Sequence, residues 1–265
     1  MSEEALKIIQ ITDTHLFADS KKSLLGVTTQ DSLEAILEHI NQHAQRFDML
    51  IHTGDVAQDY SEPAYRRIAA MLTRFNVPVY CVPGNHDDSK IMATFYPQDL
   101  HSNDRHIMTK HWQLILLNSQ KPGAVEGELK KSELDFLQKC LHDHPKHHAI
   151  AMFHHHPVPV GSRWLDRLAI TNADELWKIT KQYPKLKAIF FGHVHQQYEE
   201  VIHGIACYST PSTCFQFKRN QTSFGLEELP QGYRQIELYP DGRIETEVVR
   251  LEKYVGHFDT HAQGY

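Results

Sequence analysis

The chain has 265 residues, 41% of them hydrophobic and 23% charged, so it is long enough for one large globular domain and lacks the polar, highly charged profile of disorder. A formal net charge of -6 argues against a general nucleic-acid binder, which attracts phosphate through clustered Lys and Arg, so any anionic substrate needs a local positive source. Twenty histidines exceed what packing requires, and that excess points to chemistry.

The first residues are acidic and contain no basic stretch followed by an apolar one, so no secretory leader is expected; an apolar strand opens at residues 7–12. Residues 29–46 predict a helix with Leu33, Ile36, Leu37 and Ile40 on one face, and 48–53 a buried strand. A helix at 63–75 carries Tyr65, Ile68, Ala69 and Leu72 inward. Strands follow at 77–83, 113–119, 148–153 and 187–191, separated by helices at 132–141 and 172–183 with N-caps at Ser132 and Asn172. Alternation of this kind implies an α/β fold. In the last quarter, 201–210 reads as a strand, and 233–239 and 243–251 as a hairpin about Pro240-Asp241-Gly242. These antiparallel strands are expected to build a second sheet on the first. One domain over 1–254 is expected, with 255–265 as a mobile tail lacking periodicity.

No apolar run is long enough to span a bilayer. Cys81, Cys140, Cys207 and Cys214 form no CxxC pair and read as buried, reduced thiols, which places the chain in the cytoplasm. Neither a membrane nor a nucleic acid is expected as a partner, and a homodimer is left open.

Five short segments stand directly after five predicted strands: Asp13-Thr-His15, Gly54-Asp55, Gly84-Asn85-His86-Asp87, His154-His155-His156-Pro157 and Gly192-His193-Val194-His195. In open α/β sheets, ligand sites gather beyond the carboxyl ends of the strands, where loops converge. The side chains are oxygen and imidazole-nitrogen donors, a set suited to Fe, Mn, Zn or Co rather than to copper(I) or calcium. They are too many for one ion, so two metals are implied, with Asp55 as the natural bridge. Singly, an Asp-x-His is more often a cap and a surface histidine, and a Gly-Asp an ordinary turn; the conjunction carries the argument.

This series resembles the signature of the calcineurin-like metallophosphoesterase superfamily from Asp13 to His195, with no segment missing. Within it, residues 9–17, 25–27, 53–59, 154–166 and 210–217 are similar to the bacterial 3′,5′-cyclic AMP phosphodiesterases, the class III enzymes. The resemblance implies a four-layer αββα sandwich with two mixed β-sheets flanked by helices. It also implies Asp13, His15, Asp55 and His195 as ligands of one divalent metal, Fe or Mn first and Zn or Co as alternatives, and Asp55, Asn85, His154 and His193 as ligands of the other. A departure from the family pattern, His156 where Pro is often found, leaves the choice among the three consecutive histidines open. Substrate contacts would come from His15, Asp55, Asn85, His86, His154 and His195, and the substrate would be a cyclic nucleotide.

A water bridging two ions loses its proton near neutral pH, since metal binding lowers its pKa from 15.7 to about 7, and the hydroxide would attack phosphorus in line. The sugar 3′ oxygen is a poor leaving group. His86, next to a ligand yet not one itself, is the expected general acid or, failing that, a positioning contact to phosphate. Asp59 or Asp87 would orient its imidazole. Among the remaining histidines, His142, His144, His147 and His148 read as a solvated connection, and His101, His106 and His111 as a loop beside the cleft. Trp164, Leu165, Phe215 and Phe217 read as core or as the floor of a base pocket. Rival functions on the same centre are hydrolysis of phosphate monoesters, 2′,3′-cyclic nucleotides or diesters in general; a scaffold without catalysis would carry broken ligand positions, and none is broken.

Overall fold

The computed structural model describes residues 4–95, 104–259, 261, 262 and 264. Along the chain, β1 (Leu6–Ile11) is followed by the short ladder β2 (Ser23–Leu24) and β3 (Val27–Thr28), then α1 (Thr29–His43), β4 (Met49–His52), α2 (Glu62–Leu72), β5 (Val79–Cys81) and α3 (Ser89–Phe95). Next come β6 (His106–Met108), β7 (Trp112–Leu116), α4 (Lys131–Asp143), β8 (His148–Met152), α5 (Arg163–Asp166), α6 (Ala173–Thr180) and β9 (Leu186–Phe191). The chain closes with β10 (Tyr198–Ile202), β11 (Ile205–Ser209), the ladder β12 (Gln216–Phe217) and β13 (Leu226–Glu227), β14 (Gly232–Leu238) and β15 (Ile244–Arg250).

Two mixed sheets result, with orders β15-β14-β1-β4-β5 and β10-β11-β9-β8-β7-β6. The inner strands β1, β4, β7, β8 and β9 are apolar on both faces, which explains their unbroken hydrophobic runs. Alternate residues divide between layers by the two-residue period of a strand. Ile8, Ile51, Leu114, Leu116, Ile150, Met152, Phe190 and Ile236 fill the space between the sheets. Their neighbours Ile9, Ile11 and Leu50 turn outward to Leu33, Ile36, Leu37 and Ile68 of α1 and α2. On the far side Ala151, Ile189 and Phe191 meet Leu134, Leu137 and Leu176 of α4 and α6. Three apolar interlayers between four layers make the αββα sandwich. The side chain of Arg234, fully buried on β14, reaches across to the Ser209 carbonyl of β11 and to Glu199 of β10.

Four expectations change. The C-terminal strands do not form a sheet of their own: β14 pairs antiparallel with β1, whereas the second sheet is built from residues 106–209. The stretch 201–210 is not one strand, because His203 (φ 52°) and Gly204 (φ 81°) turn left-handed and fold β10 back on β11. Ser132 lies inside α4, whose N-cap is Lys130; Asn172 does precede α6, but its side chain bonds the Leu129 backbone on both sides instead of capping. His106 sits in β6, paired opposite Ile115, and His111 bonds the start of β8, at the end of the sandwich opposite the ligand loops; His101 lies outside the described residues. Beyond Tyr254, the Val255 amide donates to Gln231 and the His257 amide to the Gly26 carbonyl.

Candidate metal centre

The five segments meet above the carboxyl ends of β1, β4, β5, β8 and β9, and the loops are laced to one another before any side chain is considered. Amides of Asp13, His15 and Leu16 donate to the carbonyls of Gly54, Asp55 and Val56 at 2.9, 3.0 and 2.9 Å, extending the β1–β4 pairing past the strand ends. The Gly192 amide donates to the His154 carbonyl at 3.0 Å. Packing at this density leaves no room for a Cβ at Gly84, which would collide with the carboxylate and amide of Asp55. Five of the expected ligands, Asp13, His15, Asp55, His193 and His195, have φ between 46° and 68°. Left-handed backbone is costly for residues with a Cβ and collects where surrounding structure enforces it for function.

The tautomers follow from the acceptors. His15 Nδ1 lies 2.6 Å from Gln58 Oε1, His195 Nδ1 2.9 Å from the Phe215 carbonyl, and His154 Nδ1 2.7 Å from the Thr53 carbonyl. Each of these nitrogens must donate, so each Nε2 presents a lone pair. Those lone pairs face one another and other acceptors: His15 Nε2 is 3.1 Å from His195 Nε2, and His154 Nε2 is 3.2 Å from both Asn85 Oδ1 and His193 Nδ1. Asp13 Oδ1 comes within 3.2 Å of His195 Nε2. Asp55 Oδ2 lies between the groups, 3.8 Å from His15 Nε2 and 3.3 Å from His154 Nε2, while Oδ1 accepts from the His86 amide at 2.8 Å. Lone pairs converging in two adjacent clusters that share one carboxylate oxygen fit two cations, and the oxygen and imidazole set fits borderline divalent metals.

Electrostatics of the protein alone agree. Burial would discourage charge on His154, but Asp55 and Asp13 outweigh it and lift the imidazole to about 9, so the surroundings of its Nε2 favour positive charge. Burial leads in holding His15 down to about 3, with His195 and His86 adding to it, and keeps His193 far below its usual range. Asp13 and Asp55 stay ionised despite their burial, because the imidazoles of His195 and His154 offset it.

The three consecutive histidines separate by their partners. His155 has both nitrogens engaged, Nδ1 with Ser119 Oγ at 2.8 Å and Nε2 with the Val125 carbonyl at 3.1 Å, so its lone pair is already taken although it lies near His154 and His193. The ring of His156 stacks behind His193 at 5.7 Å. Only His154 aims a lone pair at Asp55. His86 is half-buried at the mouth, its ring 5.3 Å from that of His15.

Asp87 and Asp59 each accept from backbone amides beside the centre. Asp87 accepts from the amides of Val56, Ala57 and Gly84 and from the Tyr65 hydroxyl, binding the loop after β4 to the loop after β5; burial and Asp55 push its carboxyl up to about 6. Asp59 accepts from the Ala18 amide. Trp164 packs edge-on against Phe217 and Phe224, and Leu165 is buried, so both belong to the core. Phe217 stacks on the ligand candidate His195 at 4.3 Å, and Phe215 on His15 at 6.0 Å, which makes these rings supports for imidazoles.

His52 escaped the sequence reading. It is fully buried beneath the centre, accepting from the Gly54 amide at Nδ1 (3.1 Å) and contacting Thr14 Oγ1 at Nε2 (3.2 Å), while Thr14 donates to the Val56 carbonyl at 2.9 Å. Since Nδ1 accepts, Nε2 carries the hydrogen, and the chain His52 to Thr14 to Val56 fastens the Asp13 loop to the Asp55 loop. The one signal was a polar residue closing an otherwise apolar strand.

The chain belongs to the calcineurin-like phosphoesterase family, which it matches over residues 6–197. It is 39% identical to the 3′,5′-cyclic adenosine monophosphate phosphodiesterase CpdA of Escherichia coli K12 over 99% of this chain and 96% of that protein. Against the CpdA of Haemophilus influenzae identity is also 39%, over 98% and 95%. Among solved structures, a dimetal phosphatase from Danio rerio superposes with a TM-score of 0.64 at 14% identity, covering 94% of this chain and 99% of that one, a likeness of fold.

Proposed function

We propose that the chain hydrolyses 3′,5′-cyclic AMP to 5′-AMP at a dinuclear centre held by Asp13, His15, Asp55 and His195 on one side and Asp55, Asn85, His154 and His193 on the other. The observation that carries this reading is the convergence of three imidazole lone pairs, Asn85 Oδ1 and two carboxylates on one small space. Similarity to the CpdA enzymes over nearly the whole chain supports cyclic AMP as the substrate. Two divalent ions, Fe or Mn first and Zn or Co as alternatives, would supply Lewis acidity and an acidified water in such a place. The residues do the rest. Asp13 and Asp55 contribute two negative charges, so the loaded centre keeps a positive excess that draws a phosphate into an acidic protein. His15, Asp55, Asn85, His154 and His195 fix where phosphate oxygens lie, and the laced loops keep those positions rigid. His86, half-buried at the mouth beside Asn85, hands a proton to the departing 3′ oxygen and thereby lowers the barrier of a poor leaving group.

The site of action is the cytoplasm, consistent with four free cysteines, three of them buried with thiols that burial pushes up, Cys140 to about 11 and Cys207 to about 12. No helix among the described residues is long and apolar enough to cross a membrane. The test is metal analysis of purified protein together with a competition assay of cyclic AMP, cyclic GMP and 2′,3′-cyclic AMP after reconstitution. Two metals per chain and preference for cyclic AMP are expected. Hydrolysis of bis-p-nitrophenyl phosphate without turnover of cyclic AMP would overturn the substrate in favour of a broader phosphoesterase.

A further inference from the structure

The mouth of the centre has an aromatic ring that folding does not account for. Four large apolar side chains are exposed among the described residues, Tyr60, Met108, Val125 and Val201, and Tyr60 alone is aromatic, 49% exposed. Its backbone is left-handed, φ 56°, and its surroundings hold it there. The Gln58 amide donates to the Leu16 carbonyl at 2.8 Å, the Gln58 side chain accepts from His15, and Asp59 accepts from Ala18. On the other side the Tyr60 hydroxyl reaches the Asn85 carbonyl at 3.5 Å, one residue before His86. The ring therefore stands on the rim between the His15 loop and the Asn85–His86 loop, with half its surface in water.

A cyclic nucleotide whose phosphate lies on the metal ligands, and whose 3′ oxygen faces His86, extends its sugar and base toward this mouth. The geometry points to Tyr60 as the platform on which the nucleobase stacks, a substrate contact additional to those at the metals and resting on the cyclic-nucleotide reading above. Base–aromatic stacking tolerates any base, since each offers a π face. Tyr60 thus contributes affinity for nucleotides as a class and does not separate adenine from guanine.

The full-length, metal-reconstituted protein is compared with Tyr60→Ala, Tyr60→Phe and Tyr60→Trp. In Tyr60→Ala the KM for cyclic AMP rises about five- to tenfold, more than kcat falls, and cyclic GMP shows the same factor. Inhibition by the product AMP weakens alongside, whereas inhibition by inorganic phosphate, which carries no base, stays where it was. Phe restores affinity, and in Tyr60→Trp the added indole fluorescence is quenched by AMP and not by phosphate. An unchanged inhibition constant for AMP in Tyr60→Ala overturns the proposal, as does a Phe variant that behaves like Ala, which would assign the effect to the hydroxyl on Asn85. A wild-type protein that neither turns over cyclic AMP nor binds AMP removes the cyclic-nucleotide reading first, and the platform with it.

Discussion

Replacing His52 by Leu keeps the volume of a fully buried side chain and deletes two hydrogen bonds that join the ligand loops. The Gly54 amide is left without its acceptor, at a cost of about 1–3 kcal/mol for a buried unsatisfied group, while Thr14 keeps the Val56 carbonyl and loses less. Together the variant should be about 2–4 kcal/mol less stable at pH 7, a large share of a total near 5–15 kcal/mol. Acid gives the effect a signature. Burial holds the His52 imidazole down to about 4 from an ordinary 6.5, with His154 adding to the fall and Asp13 and Asp55 opposing it. As pH drops from 6.5 to 4 the unfolded chain takes up a proton that the fold refuses, so the wild type loses stability, by up to about 3 kcal/mol from this group. Leucine has no such group. Urea melts in EDTA should therefore show a gap at pH 7 that narrows by pH 4.5, and chelator competition should show metal bound about 10–100-fold more weakly by the variant. A gap of constant size across that range, or none at pH 7, would refute the assignment.

Asn85→Ala should reduce bound metal from two per chain to one by elemental analysis and remove most activity, with circular dichroism unchanged; full turnover would contradict a two-metal centre. For His86→Ala, the loss on cyclic AMP should exceed the loss on a nitrophenyl ester by about 10²-fold or more, because nitrophenolate leaves without a proton. Equal losses on both would sink the general-acid role.

The ligand loops were readable because each is a short polar segment fastened to an apolar strand, and strand ends on one side of an α/β sheet are forced together. Burial of the strands on both faces was readable for a related reason, since Ile8 and Ile9 are both apolar, whereas the four-layer sandwich itself was implied by the resemblance to the metallophosphoesterases. What could not be read depends on partners far away in sequence. His154 and His155 are chemically alike, and only Ser119 and the Val125 carbonyl, tens of residues away, distinguish them. The four donors to Asp87, from Val56, Ala57, Tyr65 and Gly84, come from three separate segments that no local pattern connects. Likewise the sheet that receives β14 is chosen by its pairing with β1, from Leu6 opposite Leu238 to Gln10 opposite Arg234, which no local pattern records.

The left-handed residues of the ligand loops carry a consequence for how this protein can be improved. Each non-glycine held at positive φ costs about 1–3 kcal/mol, so five of them store energy comparable to the entire margin that keeps a domain folded. Glycine at His193 would relax that backbone, but it would also empty the space of a buried imidazole packed on His154, His155 and His156, a cavity whose cost of about 2–5 kcal/mol matches or exceeds the strain released. Strain and packing therefore oppose each other at all five buried residues, so the ligand loops cannot be stabilised one position at a time, and a more heat-resistant descendant has to gain its stability elsewhere in the sandwich.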